Sequence, residues 1–306
     1  MTAPTRAVSM AVVGTTTVPI PTRVLVFGMT HEDGTIRAEE LYPVAEACGQ
    51  TPEQVRSCLR RLVSDGLFTR SGSGRHAVYT ATEAGAAELS GHLHRTRLAY
   101  AQDAAGRGWD RRWRLAAFAV PESRRSARDG LRDRLLALGG AAIQGGLYVS
   151  PHPWEDDVRA EAKRLGLDEH LTLASTDELE VGGTRDPRHL AAALWPLDEV
   201  AARYERFVAD HRRVIEELED LRARRERLPD AAFLPRAVAA GVAYDECSSH
   251  DPYLPPELLP RPWPGRRARE LVVRSWRLAL ALRSEAGRPA LFGAWDAVLR
   301  DVSMQP

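Results

Sequence analysis

The stretch from Thr51 to Gly66, TPEQVRSCLRRLVSDG, decides the fold of the first part of this chain. Thr51 suits a helix N-cap, Pro52 suits the first helical position, and Glu53 suits the positive end of the helix dipole. At about 100° per residue, one side of the helix is apolar and consists of Val55, Cys58, Leu59, Leu62 and Val63. The other side carries Ser57 and Arg60, flanked by Gln54, Arg56 and Arg61. The stretch therefore predicts a helix that packs on one face and presents polar and cationic side chains on the other.

Two helical patterns precede this helix, and a hairpin pattern follows it. Residues 24–28 indicate a first helix, and residues 38–48 indicate a second that Gly49 ends. The segments LFTR at 67–70 and RHAVYT at 75–80 read as two short strands around a Ser-Gly-Ser-Gly turn. Helix, turn, helix and hairpin in this order predict a winged helix-turn-helix.

A winged helix binds DNA through its recognition helix and its wing, and this sequence has suitable residues in both places. Arg bonds guanine bidentately, Gln and Ser read adenine or phosphate, and cationic wing residues bind phosphates. We therefore expect double-stranded DNA to contact Thr51, Gln54, Arg56, Ser57, Arg60 and Arg61 of the helix and Arg70, Arg75 and His76 of the wing. One alternative is that these arginines form an ordinary solvated helix face. Another is that Arg61, at the edge of the apolar face, pairs with Glu53 or Asp65.

Bulk composition limits the other classes. The 306 residues carry 42 basic and 42 acidic side chains, so any DNA contact must come from a local patch. The three cysteines form no CxxC pair, no metal-ligand spacing is diagnostic, and no catalytic or cofactor-binding motif is present. No apolar run approaches the roughly 18 residues that a membrane span needs. We expect a soluble cytoplasmic protein without catalytic residues, metal or cofactor.

Residues 55–67 and 74–85 resemble the N-terminal domain of the PaaX family, whose members are repressors of phenylacetate-degradation genes. The family usually has a bulky aromatic residue where Leu67 stands and a leucine where Ala81 stands. Both departures are changes of packing. The resemblance implies a transcriptional repressor that binds DNA through the winged helix.

The middle of the chain alternates strand and helix patterns. Strands are predicted near 113–122, 143–151 and 170–174, and helices over 124–138 and 154–165. This order suggests a ferredoxin-like layer. The family's central domain is similar to a CRISPR-associated nuclease of that fold, which carries an acidic residue at the end of its first strand. Here that stretch is FAVP at 118–121, with Glu122 the nearby carboxylate, so we expect dimerisation or relay instead of cleavage.

The C-terminal segment SHDPYLPPELLPRPWPGRRAR, residues 249–269, resembles the family's aspartate-proline loop and its Trp-Pro-Gly turn. Before it, a helix is predicted over 197–228 with an apolar seam in steps of three and four. His211 and Arg225 occupy two positions of that seam. We favour a helix packed inside its own domain over a dimer helix or the wall of an effector pocket.

The resemblance also implies a small-molecule effector, an aryl-acyl-coenzyme A such as phenylacetyl-coenzyme A. Arginines suit its phosphates, and aromatic faces suit its adenine or aryl group. The candidate effector residues are His211, Tyr253, Trp263, Arg266 and Arg267. The alternative is structural: the prolines fix an irregular loop, and Tyr253 and Trp263 cap a core.

Together the patterns predict an α+β protein with a flexible arm (1–21), a winged helix-turn-helix domain (22–95), a central ferredoxin-like domain (109–182) and a mostly helical C-terminal domain (195–306). We expect a homodimeric repressor that an effector releases from DNA. The alternatives are a regulator of the same fold that activates or senses another metabolite, a ferredoxin-like nucleic-acid enzyme, and a module whose winged helix binds protein.

Overall fold

The computed structural model describes residues 20–285 and 290–303. Apart from Ile20 and Pro21, the predicted arm lies outside these ranges. The N-terminal unit consists of α1 (Thr22–Gly28), β1 (Thr35–Arg37), α2 (Ala38–Ala47), α3 (Pro52–Ser64), β2 (Phe68–Ser71) and β3 (Val78–Ala81). Its antiparallel sheet has the order β1-β3-β2. This is a winged helix, and the prediction from the sequence is confirmed.

Two details of the sheet differ from the prediction. Strand β1 was not predicted, because three residues are too few for an alternating pattern to show. The expected strand over 75–80 is wrong at its start, since Gly74–His76 form a 3-10 turn and β3 begins at Val78. The pairing of Ser71 with Val78 leaves 72–77 in the wing tip, where Gly72 and Gly74 take positive φ angles.

Helix α4 (Glu83–Ala105) leaves the wing directly and runs for 23 residues. Thr82 caps it, because its Oγ1 accepts from the Gly85 amide at 3.1 Å and donates to the Gly66 carbonyl at 2.6 Å. The helix lies so close to the chain before β2 that a Cβ on Gly85 would be 2.0 Å from the Leu67 carbonyl oxygen. The start of α4 is therefore fixed to the turn between α3 and β2.

The central unit consists of β4 (Trp113–Phe118), α5 (Arg125–Ala137), β5 (Ala141–Gln144), β6 (Leu147–Ser150), α6 (Glu155–Arg164) and β7 (Leu171–Thr176). The strand order β5-β6-β4-β7, antiparallel throughout, is ferredoxin-like as predicted. The single strand expected over 143–151 is wrong. The chain reverses at Gly145 and Gly146, which take φ angles of 46° and 86°, and a hairpin supplies the fourth strand.

The C-terminal unit consists of α7 (Pro187–Leu194), α8 (Leu197–Ala223), α9 (Asp230–Ser248), α10 (Pro264–Leu282) and α11 (Gly293–Ser303). Helix α8 ends five residues before the predicted end at Leu228, because Arg225 adopts a left-handed φ of 56°. The apolar seam of α8 is buried within this chain, where the helix packs along α10 and α9. That packing agrees with the interpretation we favoured from the sequence.

The winged helix and the C-terminal helices share one hydrophobic core. Helices α1 and α2 both pack against α9. The ring of Phe292 packs between α1 and α9. A Cβ added to Gly28 of α1 or to Gly241 of α9 would lie 2.8 or 2.7 Å from the nearest atom of this ring, so neither position has room for a side chain. The Phe292 amide also donates to the Gly28 carbonyl at 2.6 Å. No helix in the described ranges is long and apolar enough to cross a membrane.

Candidate nucleic-acid interface and effector site

Helix α3 is anchored in the winged helix by its cap and by its apolar face. Thr51 and Gln54 form a capping box: the backbone amide of Gln54 donates to Thr51 Oγ1 at 3.2 Å, and the backbone amide of Thr51 donates to the side-chain Oε1 of Gln54 at 2.7 Å. Val55, Leu59 and Leu62 are buried completely or nearly so. Val63 does not belong to this face, contrary to the prediction. It is 36% exposed and lies one residue before the end of α3.

The opposite face of α3 is cationic and open to solvent. Arg56 and Arg60 both reach the Glu53 carboxylate, at 2.7 and 3.4 Å. The hydrogen bond from Arg56 holds the pKa of Glu53 below its usual value. Such solvent-exposed pairs are weak, so a DNA phosphate or a guanine edge can replace Glu53 at little cost. Within the described residues Arg61 makes no ion pair, and Ser57 is half-buried.

The wing presents its three predicted cations near its tip. The Arg70 guanidinium lies 6.0 Å from the centre of the Tyr79 ring, while Arg75 Nε donates to His76 Nε2 at 3.0 Å. His76 Nδ1 lies 3.4 Å from the Glu39 carboxylate of α2. All three side chains are exposed. The fold therefore places the predicted DNA contacts on α3 and on the wing, with Thr51 and Gln54 also engaged in capping the helix.

In the central sheet, strand β4 ends at Phe118, and its last residue is therefore not acidic. Glu122 lies beyond it in a 3-10 turn, where Arg125 and Arg128 pair with it at 3.7 and 2.8 Å. At the other end of the strand the nearly buried Arg114 holds Asp110 in a bidentate pair at 2.7 and 2.5 Å. These carboxylates are bound by arginines as structural partners.

The five candidate effector residues do not share one cavity. His211 is buried between α8 and α10, stacked on Phe207, with Nε2 2.8 Å from Ser275 Oγ. That burial lowers its pKa to about 4, so the ring is neutral. Tyr253 and Trp263 belong to the loop before α10, and burial raises the pKa of Tyr253 to about 12. Arg266 and Arg267 are both exposed, and of the five only Arg266 lines the cavity of about 1090 Å³ described below.

A network of buried polar side chains links the aspartate-proline loop to the neighbouring helices. Tyr204 donates its hydroxyl to Asp251 at 2.7 Å, and Asp251 also accepts from the Tyr253 amide at 2.7 Å. Burial raises the pKa of Asp251, and the nearby Arg269 guanidinium opposes that rise. Arg269 in turn makes a bidentate pair with Asp103 of α4, at 2.5 and 2.9 Å. This chain connects α8, the loop, α10 and α4.

A cavity of about 1090 Å³ lies where the ends of α4 and α8 meet α10. Among the described residues, seven arginines and four carboxylates line it, together with an apolar floor. Five of these arginines were not assigned to an effector site from the sequence, namely Arg222, Arg225, Arg227, Arg274 and Arg277. A partial signal existed, because Arg266, Glu270, Arg274 and Arg277 recur at helical spacing along one face of α10.

Fold and site together define a multidomain winged-helix protein with a cationic recognition helix and a separate arginine-lined cavity. Three family models match the chain: PaaX-like protein over 23–85, PaaX protein central Cas2-like domain over 106–191, and PaaX-like protein C-terminal domain over 195–286. The chain belongs to the PaaX family.

Individual relatives were also found. The transcriptional repressor PaaX of Escherichia coli (strain K12) is 27% identical over 270 residues, which cover 86% of this chain and 81% of that protein. Among solved structures, the uncharacterized protein Rv0674 from Mycobacterium tuberculosis has a TM-score of 0.47 and 21% identity, covering 85% of this chain and 97% of that one.

Proposed function

We propose that this protein is a DNA-binding transcriptional repressor. The observation that carries the proposal is the exposed cationic face of α3, backed by a buried apolar face and followed by a cationic wing, in a chain that belongs to the PaaX family. The similarity to a transcriptional repressor over most of both chains supports the same conclusion. A repressor of this kind acts where the DNA is, in the cytoplasm, and it is a regulator, not an enzyme.

The proposed contacts divide by role. Arg60 is 74% exposed, against 55% for Arg56, and is suited to reading a base edge, while Arg56 and Arg61 flank it. Arg70, Arg75 and His76 of the wing contact phosphates, which fix the register without reading sequence. The protein acts as a homodimer, because a winged-helix dimer reaches two half-sites on one operator.

An aryl-acyl-coenzyme A, with phenylacetyl-coenzyme A as the first candidate, releases the protein from its operator. In this scheme the thioester binds the DNA-incompetent arrangement more tightly than the competent one and so shifts the population between them.

The test is fluorescence anisotropy of the purified protein on its own upstream DNA, with a scrambled duplex of equal length as control. We expect sequence-selective binding that one of a panel of acyl-coenzyme A thioesters releases. Selective binding that no thioester changes would retain the repressor and reject this effector class. Equal binding to both duplexes at every salt concentration would reject the repressor itself.

A further inference from the structure

The cavity between α4, α8 and α10 has the composition of a site for an anionic ligand. Its seven arginines exceed its four carboxylates, and arginine keeps its charge at any physiological pH. Arg222 and Arg225 make no ion pair with any described residue, so their guanidinium groups are available. Planar guanidinium groups bind carboxylate and phosphate bidentately, and the excess of arginines over carboxylates suits a ligand with several negative charges, as a phosphorylated ligand has.

Two further arginines of the cavity pair with carboxylates that a ligand could replace. Arg266 pairs with Glu270 at 3.1 Å, and Arg274 pairs with Glu219. All four side chains are more than 40% exposed, so these pairs are weak and exchangeable.

The floor of the cavity is apolar and contains one polar group without a partner. Val273, Leu278 and Leu282 of α10 form the floor. The Tyr100 hydroxyl lies buried at the cavity wall and has no hydrogen-bond partner among the described residues. Buried hydroxyls are normally hydrogen-bonded, so this one is suited to a polar atom of a ligand whose apolar part lies on the floor.

Arg225 occupies a backbone position that normally belongs to glycine. It follows the end of α8 with a φ of 56°, while its amide bonds to the Arg222 carbonyl at 3.1 Å and the Glu226 amide bonds to the Leu221 carbonyl at 2.9 Å. This is a Schellman motif, in which glycine avoids the strain that a side chain brings. The presence of an arginine at this strained position, with its side chain lining the cavity, points to a role for the guanidinium group.

The second cavity, about 670 Å³ between the winged helix and the C-terminal helices, has the opposite character. Its described lining includes five carboxylates, Glu32, Asp33, Glu40, Asp230 and Asp296, against two arginines, Arg283 and Arg300. A phosphorylated ligand is repelled there.

We infer that the arginine-lined cavity binds a small organic ligand with phosphate groups at one end and an apolar group at the other, and that the ligand acts on DNA binding through α4. The inference rests on the proposed function in one respect: it gives the effector of the repressor its site. Asp103 of α4 and its partner Arg269 both line the cavity, so a phosphate that binds Arg269 competes with Asp103. Because α4 begins at the turn between α3 and β2, its displacement reaches the DNA-binding unit.

The test measures binding of three probes to the full chain by calorimetry: phenylacetyl-coenzyme A, adenosine 3′,5′-bisphosphate as its anionic end, and phenylacetate as its apolar end. The variants are Arg222→Gln and Arg225→Gly, with Arg212→Gln on an exposed position of α8 outside the cavity as the matched control. We expect the two cavity variants to weaken the thioester and the bisphosphate about 10–100-fold each, as for lost hydrogen bonds to a charged group. The control should bind as the wild type does. Arg225→Gly also relieves backbone strain, so it should unfold at a higher urea concentration than the wild type, which separates lost binding from lost folding.

The outcomes distinguish this site from the proposed function. If the thioester releases DNA but binds both variants as tightly as the wild type, the site is wrong and the effector class stands. If the bisphosphate binds through Arg222 and Arg225 while no thioester affects DNA binding, the site stands and the effector class is wrong. If no phosphorylated probe binds at millimolar concentration, the site is rejected. If both variants lose affinity for scrambled DNA in the absence of any probe, the arginines contact nucleic acid and the inference is overturned.

Discussion

Replacing Gly85 with alanine sets two effects of opposite sign against each other. Gly85 lies in the first turn of α4, where helix propensity alone predicts that alanine stabilises the protein by up to about 1 kcal/mol. The new Cβ, however, would lie 2.0 Å from the Leu67 carbonyl oxygen, and real Cβ atoms essentially never approach closer than 3.0 Å. The start of α4 must therefore move by about 1 Å, which strains the bond from the Thr82 amide to the same oxygen.

The steric effect should win. Overpacking of this kind costs about 1–3 kcal/mol, so we expect Gly85→Ala to lower the free energy of unfolding by up to about 2 kcal/mol after a propensity gain of about 1 kcal/mol is deducted. Urea titration measures the change, and the slope of the transition shows whether the denatured state has changed as well. Gly91→Ala is the matched control, since Gly91 lies in the same helix with nothing within 4 Å of the new Cβ. Its variant should be more stable by about 0.5–1 kcal/mol. If both variants are equally stabilised, the close approach of α4 to the turn before β2 does not exist in solution.

Three further perturbations test the interface, the buried ion pair and the buried histidine. Arg60→Ala should weaken specific DNA binding by about 1–3 kcal/mol with a smaller loss on scrambled DNA, whereas Arg75→Ala should weaken both duplexes alike and flatten the salt dependence measured by anisotropy. Asp103→Asn should cost about 3 kcal/mol in urea titration by leaving the buried Arg269 guanidinium without its carboxylate, and adding Arg269→Met should restore part of the loss; equal stability of single and double variants would count against the pair. Burial lowers the pKa of His211 to about 4, so the unfolded chain binds a proton below about pH 6.5 that the folded chain does not bind. The free energy of unfolding should therefore fall as the pH drops from about 6.5 to 4. In calorimetric scans, His211→Phe should make that fall shallower.

The recognition helix could be predicted well because its signals are local and agree with one another. A threonine cap, a proline in the first turn and a two-faced pattern all lie within the sixteen residues quoted first. The structure adds that Gln54 closes the capping box, which the spacing from Thr51 already allowed. Val63 was misplaced because periodicity gives the direction of a side chain but not whether a neighbouring element extends far enough to cover it.

The strands were harder to predict, for two different reasons. Strand β1 has three residues and owes its existence to pairing with β3, so its own sequence carries no alternation. The β5–β6 hairpin did carry a signal, since two adjacent glycines suit a two-residue turn, but the apolar residues on both sides read as one continuous strand.

The cavity could not be predicted from any single segment. Its walls come from the end of α4, the end of α8 and the length of α10, which are separated by more than 100 residues at the widest. Sequence reasoning grouped Arg266 with Tyr253 and Trp263 because they are neighbours along the chain. The fold instead brings Arg266 together with Arg222 and Arg225 at the C-terminal end of α8, a helix for which the sequence favoured internal packing over the wall of an effector pocket.

In the proposed scheme, the position of α4 explains how a ligand that never meets the proposed DNA-contacting arginines can affect their binding to DNA. To lower DNA affinity 100-fold, a ligand must favour the incompetent arrangement by about 2.7 kcal/mol. The bidentate pair between Asp103 and Arg269 is a contact of this order of strength, and a phosphate bound to Arg269 would take over its role. The other end of α4 is tied by Thr82 to the turn that joins the recognition helix to the wing. A displacement of α4 would therefore change the spacing between α3 and the wing. Both elements must contact the same DNA helix at the same time, so a change in their spacing lowers the affinity of the protein for DNA.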